Sequence, residues 1–514
     1  MSSLPLESLE YQQARERIAA AYDTQLLQSA GRKVIDLLAE HLEKCQASSK
    51  SVLNWNEPAE NITVAARMLH EAEACEAEEI ESRIQLLVET IMARGHNLHD
   101  PRYIGHQVPA SVPLAGLFET ITSVTNSVMA VYEMGPWATA CETALVREIG
   151  RLIGYPEGSF SGLITSGGSL ANLTALLTAR NVTLGESWKE GLSSRNPRPV
   201  MIAHGAAHYC IERSAGILGL GTENCLKAPL DDRGRIDVEK LEQLIRDVQS
   251  QGHPILAVCA SACATPIGAF DPLHPIADLC EKYNLWLHVD AAHGGATCFS
   301  DKYRHLISGL ERADSLICDA HKMMFVPALC AFVFYKNREH QYQAFQQSAP
   351  YLFDPSAPDL VEYDSGLKTI ECTKPAVAFG LWGIWATFGK TLFADLVDLT
   401  FSLGKVLYDK LKAAEDFQTL HEPECNIVAF RYRPEAIRNA PAEKIGELQL
   451  RLRRRLIESG KFYIVPTQFE GVAALRCTVM NPLTTPTQFD ELMQTIREQA
   501  QNLIGSEGFE SSMQ

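Results

Sequence analysis

From about residue 160 onward the chain repeats one pattern that few folds can satisfy: a short apolar run, a turn, then an amphipathic stretch long enough for a helix. The runs are Gly162-Leu163-Ile164-Thr165, Val200-Met201-Ile202-Ala203, Ile255-Leu256-Ala257-Val258, Leu285-Trp286-Leu287-His288-Val289, Ser315-Leu316-Ile317-Cys318 and Leu329-Cys330-Ala331-Phe332-Val333-Phe334. Helical stretches open at about Leu170 and near 272–283. Strands apolar on both faces, joined by crossover helices, predict an α/β fold with a mainly parallel, doubly covered sheet.

The flanks read differently. Up to about residue 95 the pattern is helical, with Glu71, Glu73, Glu76, Glu78, Glu79 and Glu81 set among alanines as a solvated helix face. Between about 340 and 375 Pro350, Pro355 and Pro358 interrupt the pattern in a segment too long for a simple connection, hence a functional or mobile loop. Helix resumes at about Ala376. Beyond about 420 the order becomes strand (Ile427–Phe430), helix (about 442–458), strands (Phe462–Val465 and Ala473–Arg476) and a last helix opened by Thr485-Pro486-Thr487-Gln488, a capping-box spacing. The division expected is a helical segment over 1–100, a large domain over 101–390 and a small α+β domain over 391–514.

Composition narrows the function. Lys plus Arg total 46 and Asp plus Glu 63, a formal charge of −17 that opposes phosphate backbones and anionic lipid. No apolar stretch reaches the ~18 residues of a membrane span and no signal segment leads the chain, so a cytoplasmic protein without nucleic-acid or membrane partners is expected. The 14 cysteines are scattered within apolar runs, as in a reducing compartment. Cys259 and Cys263 have no second pair of zinc spacing nearby and read as core packing.

Three segments can carry chemistry. Thr165-Ser166-Gly167-Gly168-Ser169-Leu170-Ala171-Asn172 joins a strand to a helix and could hold a phosphate on backbone N–H groups and the Ser169 hydroxyl; alone, it is equally a tight turn capped by Ser169. His288-Val289-Asp290-Ala291-Ala292-His293 ends an apolar strand, where open sheets bind ligands. His288, Asp290 and His293 could ligate a metal, or Asp290 could hold a proton on a heterocyclic nitrogen while Ala292 leaves room for the ring; each histidine could also be a satisfied core residue. Asp319-Ala320-His321-Lys322 follows another strand, where a lysine either snorkels outward or forms a covalent link to a carbonyl. Together the segments offer pyridoxal phosphate its phosphate anchor, pyridinium partner and covalent lysine.

At this point the chain resembles the group II pyridoxal-phosphate-dependent amino-acid decarboxylases, the family of glutamate, cysteine sulfinate, aromatic amino-acid and diaminobutyrate decarboxylases. The resemblance runs from about Pro101 to the C-terminus through Pro101-Arg102-Tyr103, Thr165 to Asn172, His208-Tyr209, Gly268-Ala269-Phe270-Asp271-Pro272, His288 to Gly295, His321-Lys322, Tyr351-Leu352-Phe353, Leu475-Arg476 and Asn481-Pro482. It implies a fold-type-I, aspartate-aminotransferase-like architecture with a seven-stranded sheet, and a homodimer whose active sites lie at the subunit boundary. It further implies that Lys322 links to the cofactor, Asp290 pairs with the ring nitrogen, and His208 and Ala292 cover the two ring faces. Thr265 would lie nearby, and Gly168, Ser169 and His321 would hold the phosphate. His106 falls in the substrate wall, and Arg476 matches an arginine that binds a substrate carboxylate in the glutamate enzyme.

The chain departs from glutamate decarboxylases at Asp319-Ala320, where they carry Asn-Pro, and at His293, where they carry Trp. In relatives the proline-punctuated loop offers a tyrosine to the neighbouring subunit; here Asp359 takes its place and Tyr363 is the nearest phenol, so Tyr363 or His208 is expected to protonate Cα. The expected activity is α-decarboxylation of an L-amino acid, with aspartate, glutamate, cysteine sulfinate or diaminobutyrate as candidates. The alternatives are an aminotransferase of the same fold, a metallohydrolase using His288, Asp290 and His293, and a catalytically silent scaffold.

Overall fold

The computed structural model describes residues 8–71, 79–192, 196–345 and 358–504. Its central sheet has seven strands: β1 (Ser161–Thr165), β2 (Val200–His204), β3 (Cys225–Ala228), β4 (Ile255–Ser261), β5 (Leu287–Asp290), β6 (Ser315–Asp319) and β7 (Ala331–Tyr335). They lie in the order β1-β7-β6-β5-β4-β2-β3, parallel from β3 to β6, with β7 antiparallel to both β6 and β1. The expected mostly parallel, seven-stranded sheet is therefore present. Edge strand β3 escapes sequence reading because Cys225–Lys227 are not buried and form no apolar run.

Alternation along each strand divides the core in two. Leu163, Met201, Ala203, Cys259, Ile317 and Val333 face helix Gly168–Thr183 and its neighbours. Ile164, Ile202, Val258, Leu316 and Phe332 face the opposite layer, which includes helices Pro136–Ile153 and Leu273–Lys282.

A second, antiparallel sheet holds β8 (Phe417–Thr419), β9 (Ile427–Tyr432), β10 (Val465–Phe469) and β11 (Val472–Thr478) in the order β8-β9-β11-β10. Helices Ala442–Ser459 and Pro486–Ile504 bury Leu448, Leu452, Phe489 and Ile496 with Phe430 and Leu475. The strand expected at Phe462–Val465 instead begins at Val465, because Tyr463 is taken up by a bridge to Tyr103 and stacks on its ring, centroids 5.3 Å apart. The last helix opens as its spacing predicts: Gln488 Oε1 accepts from the Thr485 N–H at 2.9 Å.

Helix Thr391–Ala413 belongs to both cores, Phe393, Val397 and Phe401 packing in the large one and Leu403, Leu407 and Leu411 in the small one. At the N-terminus, helices Leu9–Ala21, Pro58–Glu71 and Ile80–Arg94 contain no buried residue. Most of the acidic stretch after Glu71, the segment Tyr351–Phe353 and the Asp359 side chain lie outside the described residues.

Candidate active site

The parallel strands, together with β1, which runs the same way, deliver the expected residues to one end of the sheet. β6 continues into the one-turn helix Ala320–Met323, which carries His321 and Lys322. β5 ends at Asp290, β4 leads through Ser261 to Thr265, His208 is the N-cap of helix Tyr209–Ile217, and β1 opens into the Gly167-Gly168 turn. A cavity of about 270 Å³ is lined by Gly168, Ser169, His208, Thr265, Asp290, Ala292, His321 and Lys322. A larger cleft of about 390 Å³, lined by Glu142, Arg147 and Lys368, contains none of these eight residues. The lysine, the carboxylate and the helix N-terminus converge in the smaller cavity.

Gly167, with φ +105°, caps the helix that starts at Gly168 and offers no side-chain hydrogen bond. The alternative of a turn capped by Ser169 is thereby corrected: Ser169 sits inside the first helical turn. Its N–H and that of Gly168 have no intrahelical acceptor and are free to bind an anion. A Cβ at Gly168 would lie 2.7 Å from both carboxylate oxygens of Asp319, so the turn closes this tightly only with glycine.

Asp290 is fixed by a chain of hydrogen bonds that sequence reading did not assign. Asn172 Nδ2 donates to Asp290 Oδ2 at 3.1 Å, and the Ala292 N–H donates to Oδ1 at 3.1 Å. His288 Nε2 meets Asn172 Oδ1 at 2.8 Å, its Nδ1 meets Ser315 Oγ at 2.9 Å, and Trp286 Nε1 donates to the same hydroxyl at 2.9 Å. Only one proton arrangement satisfies every group: Ser315 O–H donates to Nδ1 and His288 Nε2–H donates to Asn172. His288 is thus a neutral, fully bonded core residue, its pKa held at about 4 by burial. Both its nitrogens are committed, which corrects the metal reading of His288, Asp290 and His293.

Lys322 Nζ lies 3.1 Å from Asp319 Oδ2. Burial acts to lower the lysine pKa, but Asp319 and Asp290 outweigh it and hold the ammonium above its usual range. Asp319 Oδ1 is buried without a hydrogen-bond partner. His208 Nδ1 accepts from the Cys210 N–H at 3.4 Å, which leaves the ring proton on Nε2, and burial lowers its pKa.

Not every expected residue joins this cavity. Arg476 stands on β11 next to the cavity wall, donating through Nη1 to the carbonyl of the cavity-lining Thr265 at 2.8 Å. His106 packs against Tyr463, centroids 5.6 Å apart; burial first, then the charges of Arg476 and Arg453, lower its pKa. Tyr363 lines the larger cleft, 5.8 Å from the Tyr132 ring, and is not brought to Lys322 of its own chain.

The donor set fits pyridoxal phosphate: an amine at Lys322, an oriented carboxylate at Asp290 and an open helix N-terminus at Gly168 line one cavity. A family model described as the pyridoxal-dependent decarboxylase conserved domain matches residues 65–433. The acidic amino acid decarboxylase GADL1 of Bos taurus is 29% identical over 480 residues, 91% of this chain and 90% of its own. The crystal structure of mouse CSAD superposes with a TM-score of 0.84 at 25% identity, over 93% of this chain and 99% of that one. Oryza sativa TDC, crystallised with PLP and tryptamine, shares the fold at a TM-score of 0.84 and 20% identity, over 94% and 99%. With the family matched over most of the chain, and with a lysine, a carboxylate and an open helix N-terminus sharing one cavity, this protein belongs to the group II pyridoxal-phosphate-dependent decarboxylases and is an amino-acid decarboxylase of fold type I.

Proposed function

We propose that the substrate is an acidic L-amino acid, with aspartate, glutamate and cysteine sulfinate as the candidates, and that Arg476 receives its side-chain anion. The observation that carries this reading is a buried cation with a donor to spare. Arg476 is 7% exposed, its Nε has no hydrogen-bond partner, and among the described residues no carboxylate lies within 4.0 Å of it. Burial pushes its pKa down to about 10, so it remains charged at neutral pH. An unpaired buried cation is costly, and an anionic ligand offsets that cost. The same charge disfavours the cationic side chain of diaminobutyrate. The description of GADL1 as an acidic amino acid decarboxylase supports the reading.

Within this proposal Lys322 would bind the cofactor covalently, Gly168, Ser169 and His321 would hold its phosphate, and Thr265 would lie beside it. Asp290, oriented by Asn172 and the Ala292 N–H, would keep a proton on the ring nitrogen, and His208 and Ala292 would flank the ring. Pyridoxal phosphate, when bound, supplies the sink for the electron pair left on Cα as CO2 departs. His208 Nε2–H would donate the proton to Cα within this chain, or Tyr363 would do so in the neighbouring subunit. His106 would form part of the substrate wall.

A cytoplasmic homodimer completes the proposal. The N-terminal helices expose Leu9, Ile62, Leu69 and Ile91 at 70%, 69%, 75% and 71%, a surface that a second copy of the chain would cover. None of the described helices is long and apolar enough to cross a membrane, and the described cysteines are free thiols.

The test is CO2 release from each proteinogenic amino acid, cysteine sulfinate and diaminobutyrate. Acidic substrates are expected to lead, and Arg476→Lys to lower kcat/KM for them by roughly tenfold or more through loss of bidentate pairing. Preference for neutral or cationic substrates, or equal loss across all of them, would overturn the assignment.

A further inference from the structure

At the wall of the Lys322 cavity, three residues that the decarboxylation does not use converge from distant segments. Cys263 follows β4, His293 follows β5, and Cys425 precedes β9. All three are buried, and both sulfurs and a histidine nitrogen lie within 4.8 Å of one another. The two sulfurs are 3.9 Å apart. That is far beyond a disulfide bond of about 2.05 Å. It matches the roughly 3.8 Å edge of a tetrahedron built on zinc–sulfur bonds of about 2.3 Å.

Neighbouring groups fix the histidine tautomer. Asn426 Nδ2 donates to the Val479 carbonyl at 2.9 Å and approaches Met323 Sδ at 3.4 Å, which turns Oδ1 toward His293 Nε2 at 2.7 Å. Nε2 therefore carries the proton and Nδ1 a lone pair. Nδ1 is buried and has no hydrogen-bond partner, in a residue 1% exposed. Metal-binding imidazoles have this arrangement, one nitrogen tethered to an acceptor and the other left free. Burial holds the ring neutral, with a pKa of about 3.

We propose that Cys263, His293 and Cys425 form a binding site for one thiophilic cation of the zinc type, with a fourth coordination position toward the active-site cavity. Cys263 and His293 both line that cavity, whereas Cys425 comes from the lead-in to the second sheet, so the ion would tie the two sheets together. Binding is a ligand exchange without redox change: two sulfur–hydrogen bonds and the displaced zinc–water bonds break, two protons and those waters leave to solvent, and two sulfur–zinc bonds and one nitrogen–zinc bond form, one water remaining in the fourth position. Two thiolates neutralise Zn²⁺, so no net charge is added near Lys322 and Arg476.

The test uses the full-length holoenzyme, prepared without a metal-binding tag, exposed to ZnCl2 and desalted. Mass spectrometry is expected to find about one zinc per chain. Cys425→Ser and His293→Gln should lose it, and Cys372→Ser, altering an exposed cysteine, should retain it. Cofactor content and circular dichroism establish that each variant is folded. Loading the wild type with Co²⁺ reads the ligands without any variant: sulfur-to-cobalt absorption in the near ultraviolet, with strong visible bands of a tetrahedral ion, is expected. Absence of that spectrum, zinc retained by both ligand variants, or an intact mass two daltons light from a Cys263–Cys425 disulfide would each overturn the proposal.

Discussion

Lys322 and Asp290 are legible in the sequence because each follows an apolar strand in a segment short enough to read as one unit. Lys322→Ala should abolish turnover together with the absorbance of bound cofactor; a cofactor that stays reducible onto the protein by borohydride would refute the assignment. Asn172 could not be given its role from the same text, since its partners His288 and Asp290 lie 116 and 118 residues away. It acts through Asp290 and is a positioning residue. Asn172→Leu removes a hydrogen bond to an ionised group, an effect of about 1.5–3 kcal/mol, or roughly 10- to 100-fold. The loss should fall on kcat with KM little changed, and the pH dependence of the cofactor's absorption should change because the carboxylate facing the ring nitrogen is no longer held in place. A merely structural role would instead lower the melting temperature and leave the spectrum unaltered. Asp319 gives a prediction of opposite sign. Because it helps hold Lys322 protonated, Asp319→Asn should lower the pH at which the cofactor-free enzyme reloads with pyridoxal phosphate, measured as absorbance recovery across pH. An unchanged midpoint would show that Asp290 alone sets the lysine charge.

At the scale of elements, the helix-forming turn after β1 shows why a motif can be found while its mechanism is misread. Gly-Gly-Ser suggests a serine cap, yet the cap position falls on Gly167 with φ +105°, a conformation that costs little only for glycine. Gly168→Ala should leave the helix itself as stable or better, since alanine favours helix by up to about 1 kcal/mol. The new methyl group meets Asp319, the partner of Lys322. Cofactor affinity should therefore drop by about tenfold or more while thermal stability of the cofactor-free form changes little. Titration with pyridoxal phosphate alongside thermal melts separates the two. The central strands were readable because burial on both faces makes them uniformly apolar. Edge strand β3 lacked that signature, and the apolar run at Phe462–Val465 was spent on the Tyr103 junction before β10 began. Tertiary pairing decided both cases, and periodicity carries no trace of it.

Across the whole molecule, folding buries titratable rings that an unfolded chain would leave in water, and this sets how stability responds to acid. Burial lowers the pKa of His96, His288 and His421 to about 4 from 6.5. Above pH 6.5 these histidines are neutral in both states and contribute no pH dependence. Between 6.5 and 4 the unfolded chain takes up protons that the folded one refuses, so stability present above the unfolded pKa is lost as pH falls toward the folded pKa. For His288, which is fully buried, the difference amounts to roughly 3 kcal/mol by pH 4. Buried carboxyls Asp271 and Asp314 work the other way, their pKa raised by burial, so the bare acid slope of the protein mixes both signs. A difference measurement isolates the histidine. His288→Gln retains an amide that can pair with Asn172 or Ser315 but cannot take up a proton in this range. Its melting temperature should start below that of the wild type at pH 7.5 and fall less steeply between pH 6.5 and 4, by the slope of about one proton. Parallel melting curves over that range would mean that His288 titrates in the folded enzyme nearly as it does in water, and the buried relay from Trp286 to Asp290 would then be open to solvent.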